Sequence, residues 1–507
     1  MKIQTIAEVN LWWKFGKDFH FYDSSLKPLK KKPIIFTRSK LELKPGNIYI
    51  IRGPRQVGKT VWIKQTIRGL LEKGIDPKSI FYLPCDLLTG RTRKEFSATL
   101  RFYLDNIGLE RKPLYIFLDE ITAVDEWNIE LKVLADVGVT EKCAIVVTGS
   151  NPWKIKEKRE RLPGRGVEGN EKLFFPLTFR EFVLQSSKKI ASFVKEENVK
   201  LWDSLNILSE KAKEKIEVNI ENREEVLDFV KEFLSFQSEL QFLFRLYLIT
   251  GGFPESINSF LFNKYFNKEK NETIDNYVYE RFIDVVKGDL GEMIRSESSM
   301  RELISVIIRN YGNRYSFTDI ANGTSAHIDH KTAMAYSELL KEAQLTRIFY
   351  SYDFSKERFR LKADKKIYFY DPFLFYAIQS WLTGKEGYEI CLDVILNDDM
   401  LGHVIEGIVG NHLAITKERL PMQDMITFLW FYYDKSREID FIYRKKNGQF
   451  IGIEVKYQNN VSVRDIAKLD RIKEYFLISK DSLVIGEIPI LPANLFLFSL
   501  KKSDGYI

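Results

Sequence analysis

Three apolar rhythms alternate along the 507-residue chain. Short continuous apolar runs come first: Ile48 to Arg52, Leu114 to Leu118, and the run beginning at Cys143 that ends in Thr148 and Gly149. Runs of that length, closed by turn residues, predict buried strands. From Thr60 onward Val61, Ile63, Ile67, Leu70 and Leu71 recur at mostly helical spacing, so a helix follows the first run. From Ser186 to about Leu246 the helical period continues in a stretch rich in Lys, Glu, Leu and Phe, which predicts a helical insertion with a solvated charged face. Beyond it, the pattern predicts an apolar helix at Leu303–Ile308 and a polar break at Tyr311–Arg314. A short helix at Thr318–Ala321, a turn at Gly323 and a second helix at Asp329–Ala343 follow. Alternating residues then return as strand, the layout of a helix-turn-helix with a wing. Near the C-terminus Phe428–Tyr433, Glu438–Tyr443 and Gln449–Lys456 read as three strands. The last two form a hairpin about Lys446-Asn447-Gly448.

Composition narrows the class. At roughly 150 residues per domain the length allows about three domains. Hydrophobic residues make up 45% and charged residues 29%, an ordinary globular balance. The net charge of +7 is too mild to demonstrate nucleic-acid binding, though compatible with a local basic face. Cys85, Cys143 and Cys391 are far apart and odd in number, which gives neither a disulfide framework nor zinc spacing and points to a reducing, cytoplasmic setting. No apolar run reaches the roughly 18 residues of a membrane helix, and the N-terminal stretch lacks the apolar core of a signal peptide. No membrane partner is expected.

The chemistry starts at Gly53-Pro54-Arg55-Gln56-Val57-Gly58-Lys59-Thr60, followed by Val61. This is a full G-x-x-x-x-G-K-T set between a strand and a helix, the context in which the motif binds phosphate. Its backbone N–H groups wrap the phosphates, Gly58 permits close approach, and the helix N-terminus adds positive potential. Lys59 reaches the terminal phosphates and the Thr60 hydroxyl binds Mg²⁺, so ATP and Mg²⁺ are the expected ligands. Asp119 and Glu120 close the second strand. Asp119 is placed to hold Mg²⁺ and Glu120 to polarise the attacking water. At the end of the third strand Ser150 or Asn151 could sense the terminal phosphate, although such turns favour these residues anyway.

The segments GPRQVGKT, LDEITAVDEWNIELKVLAD, TGSNP, LPGRG, FFPLTFREF and YLITGGFPES occur in this order. In that order they resemble the prokaryotic AAA-type P-loop ATPases that carry a C-terminal DUF4143 region. The resemblance implies an α/β fold: a P-loop NTPase core with helical lid, a winged-helix domain and a restriction-endonuclease-like α/β domain. The boundaries expected are 1–185 for the ATPase core, 186–295 for helical insertion and lid, 296–385 for the winged helix and 386–507 for a PD-(D/E)XK nuclease-like domain. It also implies that Arg165 contacts phosphate in cis or reaches a neighbouring subunit, which would require oligomerisation. A loop arginine in the charge run KIKEKRERLPGR has the same sequence appearance. Gly251-Gly252 reads as a structural turn, with a lid or nucleotide contact as the rival reading. The second helix of the winged motif could place Lys331 on double-stranded DNA, or the motif could serve as a packing domain. His327 and His330 flank Asp329 and read as surface or capping residues rather than as a metal pair.

The hairpin raises the second chemical question. Residues two apart on a strand share a face, so Glu454 and Lys456 point the same way and Asp440 meets them across the hairpin. Two carboxylates that hold Mg²⁺ and a lysine that positions water are what phosphodiester hydrolysis needs. By resemblance, Glu406 on the preceding helix completes the set as a further metal ligand. An edge hairpin with solvated charges offers the same letters, and the segment REID lacks the Pro-Asp form of the superfamily. Three functional readings follow. One is an ATP hydrolase that drives a conformational switch, with action on DNA open. The others are an ATP-gated DNA nuclease of defence type and a non-catalytic, nucleotide-regulated interaction protein.

Overall fold

The computed structural model describes residues 3–108, 110–149, 170–267, 271–291, 296–325, 328–417 and 427–507. The chain forms two compact units, residues 1–175 with 505–507, and residues 176–504. Ser150, Asn151, Arg165 and His327 lie outside the described residues.

The first unit is built on five strands: β1 (Ile48–Arg52), β2 (Ile80–Pro84), β3 (Leu114–Asp119), β4 (Cys143–Gly149) and β5 (Glu171–Leu173). They pair in the order β2-β3-β4-β1-β5, and every pairing is parallel. The apolar runs become strands because both faces are covered: β1, β3 and β4 are buried along their whole length. Ile50, Leu83, Leu118 and Val147 share one core with Phe96 and Trp127 of two covering helices. The edge strand β2 is closed by the N-terminal segment rather than by another strand. The Asn10 side chain donates to the Tyr82 carbonyl (2.9 Å) and accepts from the Tyr82 N–H (2.7 Å), imitating a ladder partner. The indole N–H groups of Trp12 and Trp13 both donate to the Ile80 carbonyl. These bonds occupy edge groups at Ile80 and Tyr82 that a foreign strand would otherwise pair with.

The second unit opens with helices at Phe179–Val194, Val199–Glu214, Arg223–Phe233, Gln237–Thr250 and Pro254–Tyr265, so the helical stretch begins before Ser186 and extends past Leu246. The first begins on a full capping box, Thr178 with Glu181. Three helices, Glu297–Arg309, Phe317–Asn322 and His330–Glu342, precede the antiparallel pair β6 (Thr346–Asp353) and β7 (Arg358–Phe369). The sheet continues through β8 (Leu429–Tyr433), β9 (Glu438–Arg444), β10 (Phe450–Lys456), β11 (Glu474–Ser479) and β12 (Ile490–Pro492). All seven form one sheet in the order β12-β11-β10-β9-β8-β6-β7, joined between β6 and β8 at Ser351 and Phe431. It therefore draws strands from both sides of residue 385.

Gly251 and Gly252 have a packing role. Gly252 donates its N–H to Asp371 (2.8 Å), which also caps the helix Pro372–Thr383 through the Phe373 N–H. A Cβ on Gly251 would fall 1.9 Å from the Asp371 carboxylate, and one on Gly252 would fall 2.2 Å from the Leu177 carbonyl oxygen. Burial pushes the Asp371 carboxyl up to about 7, against those two N–H bonds.

Candidate functional site

The phosphate motif folds at the C-terminal end of β1. Gly58 has φ +104° and Gln56 φ +60°, left-handed conformations that turn the loop back onto the helix Lys59–Glu72. Gly53 sits where a Cβ would meet Phe174 at 2.6 Å, so only glycine lets the loop leave the strand at this point. Pro54 and Val57 are buried, Arg55 is exposed, and Gln56, Thr60 and Val61 are half-buried. The Lys59 ammonium is buried and donates to the Gly53 and Pro54 carbonyls, both at 2.8 Å.

The Thr60 hydroxyl donates to Asp119 at 2.7 Å, linking the start of the helix to the end of β3. Two further hydroxyls converge on the same carboxylate: Tyr82 from β2 at 3.0 Å, and Thr148 from β4. Glu120 follows at φ +50°, uncommon for a non-glycine residue, and its N–H faces the Thr148 hydroxyl at 3.4 Å. Behind this site, buried Lys64 pairs with buried Asp23 at 3.2 Å and lies 3.7 Å from the centre of the Tyr82 ring. Burial lowers the Lys64 ammonium and raises the Tyr82 hydroxyl. Arg38 donates to the Val57 carbonyl. Tyr82, Thr148, Lys64 and Arg38 carry no motif. Thr148 alone had a sequence signal, its place at a strand end beside the expected sensor.

The second site gathers Glu406, Asp440, Glu454 and Lys456. The β9–β10 register sets Phe441 opposite Ile453, which brings Asp440 beside Glu454. Asp440 accepts from the Val455 N–H at 2.9 Å, and its own N–H faces Glu454 at 3.4 Å. Lys456 pairs with Glu454 at 3.0 Å. Burial and the neighbouring Asp440 push the Glu454 carboxyl up to about 8. The helix Asp398–Ala414 delivers Glu406, buried at 6% exposure. One residue was not foreseen. Lys366 of β7, 2% exposed, places its ammonium 2.8 Å from Glu406, 2.9 Å from Asp440 and 2.9 Å from Glu438. Tyr368 donates to the same Glu406 oxygen at 2.6 Å. Burial disfavours the Lys366 charge, but Asp440 and Glu406 outweigh it and hold the ammonium well above its ordinary value. Burial likewise opposes the Asp440 charge, and Lys366 keeps that carboxyl below the usual range. Among the described residues no group of His, Cys, Asp and Glu is arranged to hold a metal ion.

Of the residues singled out in the expected helix-turn-helix, Asp329 caps the helix His330–Glu342 by accepting from the Thr332 N–H, and His330 and Lys331 are exposed. No described helix is long and apolar enough to cross a membrane.

Residues 45–183 match the family model of an AAA domain. Residues 241–385 match a domain of unknown function, DUF8612, and residues 401–487 another, DUF4143. Over 300 residues the chain is 27% identical to an uncharacterized protein of Methanocaldococcus jannaschii, covering 59% of this chain and 54% of that one. Over 137 residues it is 29% identical to an uncharacterized protein of Haemophilus influenzae, covering 27% and 33%. The chain thus spans a third to about half the length of these curated relatives. Among solved structures, a Walker-type ATPase of Pyrococcus abyssi aligns at 14% identity and TM-score 0.39, over 72% of this chain and 96% of that one. The Orc1 protein of Aeropyrum pernix in complex with DNA aligns at 13% identity and TM-score 0.30, over 68% and 87%. TM-scores this low transfer nothing by themselves. What the comparisons give is a similarity: residues 45–183 to an AAA domain, on a parallel sheet that resembles a P-loop NTPase core, and residues 401–487 to the DUF4143 region.

Proposed function

We propose that the chain binds Mg-ATP at Gly53–Val61 and hydrolyses it. The supporting observation is the 2.7 Å bond from the Thr60 hydroxyl to Asp119, which joins the phosphate loop to an acidic strand end. The donor set fits the cation: a hydroxyl and a carboxylate are hard oxygen ligands of the sort Mg²⁺ takes, alongside phosphate oxygens. Bound there, Mg²⁺ would neutralise the charge that develops on the transferred phosphoryl group. Lys59 leaves the loop carbonyls for the terminal phosphates. Tyr82 and Thr148 hold the Asp119 carboxylate in orientation, and Glu120 orients the attacking water. Ser150 and Arg165, assigned to phosphate by motif and resemblance, remain part of this proposal.

For the second unit we read residues 296–385 as a winged helix and 386–507 as a PD-(D/E)XK nuclease-like shell. Three helices followed by the β6–β7 hairpin, with a short antiparallel bridge from Tyr315 to Lys365, support the first. Support for the second comes from mixed strands β8–β12 and the convergence of Glu406, Asp440, Glu454 and Lys456. ATP turnover measured with and without double-stranded DNA, scoring DNA integrity in the same tube, tests the whole reading. Wild type is expected to turn over ATP. Lys59→Ala is expected to lose nucleotide binding by calorimetry, because a methyl group cannot replace an ammonium on phosphate. Unchanged affinity would remove the assignment.

A further inference from the structure

The nuclease-like reading requires a divalent cation among Glu406, Asp440 and Glu454, and the geometry does not fit one. An ammonium has three N–H donors. Those of Lys366 face three carboxylates, from Glu406, Asp440 and Glu438, at 2.8 to 2.9 Å. These are ordinary lengths for charge-assisted N–H···O bonds. A divalent cation bridging Glu406 and Asp440 through these oxygens would need them at roughly 2.0–2.6 Å around the position that Nζ fills. Further contacts hold part of the same set. Asp440 accepts from the Val455 N–H, the Lys366-bound Glu406 oxygen also accepts from Tyr368, and Glu454 pairs with Lys456.

We propose that Lys366 is a built-in counter-ion standing where a nuclease would keep its metal, so that the shell is held closed by an internal ion cluster and cleaves no phosphodiester. The cluster ties three elements together: β7 through Lys366, the helix Asp398–Ala414 through Glu406, and β9 through Glu438 and Asp440. A lysine with 2% exposure cannot swing to solvent without opening that packing. The inference rests on the nuclease-like reading of the shell but not on the ATP site.

Two measurements on the full chain, both without nucleotide, test it. Thermal melts with Mn²⁺ compare wild type with the Asp440→Asn/Glu454→Gln variant; any cation held near Asp119 is common to both and cancels. Equal responses are expected. A genuine site filled at a hundredfold excess over its Kd raises the melting temperature of a unit of this size by roughly 4 °C. A rise of that size in wild type that is absent from the variant would overturn the proposal. The second measurement combines Lys366→Met with Asp440→Asn. A counter-ion predicts that the pair loses less in melting temperature than the two single losses added, because the second change removes the charge that the first left unpaired. Additive losses would also overturn it. Should Lys366→Met not fold alone, the wild-type Mn²⁺ arm still decides.

Discussion

His412 gives the sharpest pH prediction. It lies on the helix that carries Glu406, is 4% exposed, and accepts from the Phe179 N–H through Nε2 at 3.0 Å. Since Nε2 accepts, Nδ1 must carry the proton, and it donates to the Ile408 carbonyl at 2.8 Å. Protonating the ring would set an N–H against the Phe179 N–H. Burial is the largest influence and lowers the imidazole from 6.5 to about 4; nearby Glu181 pulls upward and Arg347 downward. The unfolded chain therefore binds the extra proton between these two values, so stability is fully present above 6.5 and is lost as the pH falls toward 4. At pH 5 the loss works out at about 2 kcal/mol, or about 30-fold in an opening equilibrium. Asp371, pushed up to about 7, acts in the opposite sense over the same range, so a global melt would blur the two. Hydrogen exchange of peptides covering 398–414, corrected for intrinsic rates, isolates the local opening. Protection in wild type should fall about 30-fold from pH 7.5 to 5 relative to His412→Gln. A constant ratio between the two proteins would refute the neutral, depressed imidazole.

Three further outcomes follow from the geometry. Glu120→Gln should retain Mg-ATP binding and slow single-turnover hydrolysis by roughly 100-fold or more, since the amide keeps the shape without the basicity; an unaffected rate would hand the water to another residue. Thr60→Val removes the hydroxyl that meets Asp119, so Mg²⁺ should cease to strengthen ATP binding in calorimetry while metal-free affinity is kept. Gly252→Ala drives a Cβ to 2.2 Å from the Leu177 carbonyl oxygen and should cost about 3 kcal/mol or more, read as a lower melting temperature; a neutral result would mean that the turn is not held as described.

How far the sequence could be read depended on how local each feature is. The phosphate loop is consecutive residues between a strand and a helix, so period and motif located it together. Asp119 and Glu120 were legible because a phosphate loop needs an acidic partner at the end of a neighbouring strand. Tyr82 and Thr148 meet Asp119 from 37 and 29 residues away; a tyrosine on a buried strand looks like any other core residue, and Thr148 was marked only by its place at a strand end. Asn10 capping the β2 edge is legible in neither pattern nor propensity, because it replaces a strand that the sequence does not contain. The hairpin register followed from alternation about Asn447-Gly448, which is why Asp440, Glu454 and Lys456 came together as expected. Lys366 did not, for it lies 40 residues from Glu406 and 74 from Asp440, on a strand that reaches the strand of Asp440 only by way of β6 and β8.

The two lysines show why convergence of the expected residues does not by itself decide the chemistry. Lys59 rests on the Gly53 and Pro54 carbonyls, neutral dipoles at 2.8 Å. Exchanging them for phosphate oxygens replaces neutral acceptors with charged ones, which form stronger bonds, so an arriving ligand draws the ammonium out. Lys366 rests on three carboxylates. Moving it would leave Glu406 and Asp440 buried and uncompensated, a loss that runs to several kcal/mol in buried pairs. A cation entering that cluster must displace a charge already bound to its best partners, whereas a phosphate entering the loop displaces the Gly53 and Pro54 carbonyls. The first lysine is poised for exchange and the second for retention. On the proposed reading, that difference puts ligand exchange at the phosphate loop and structural closure at the carboxylate cluster.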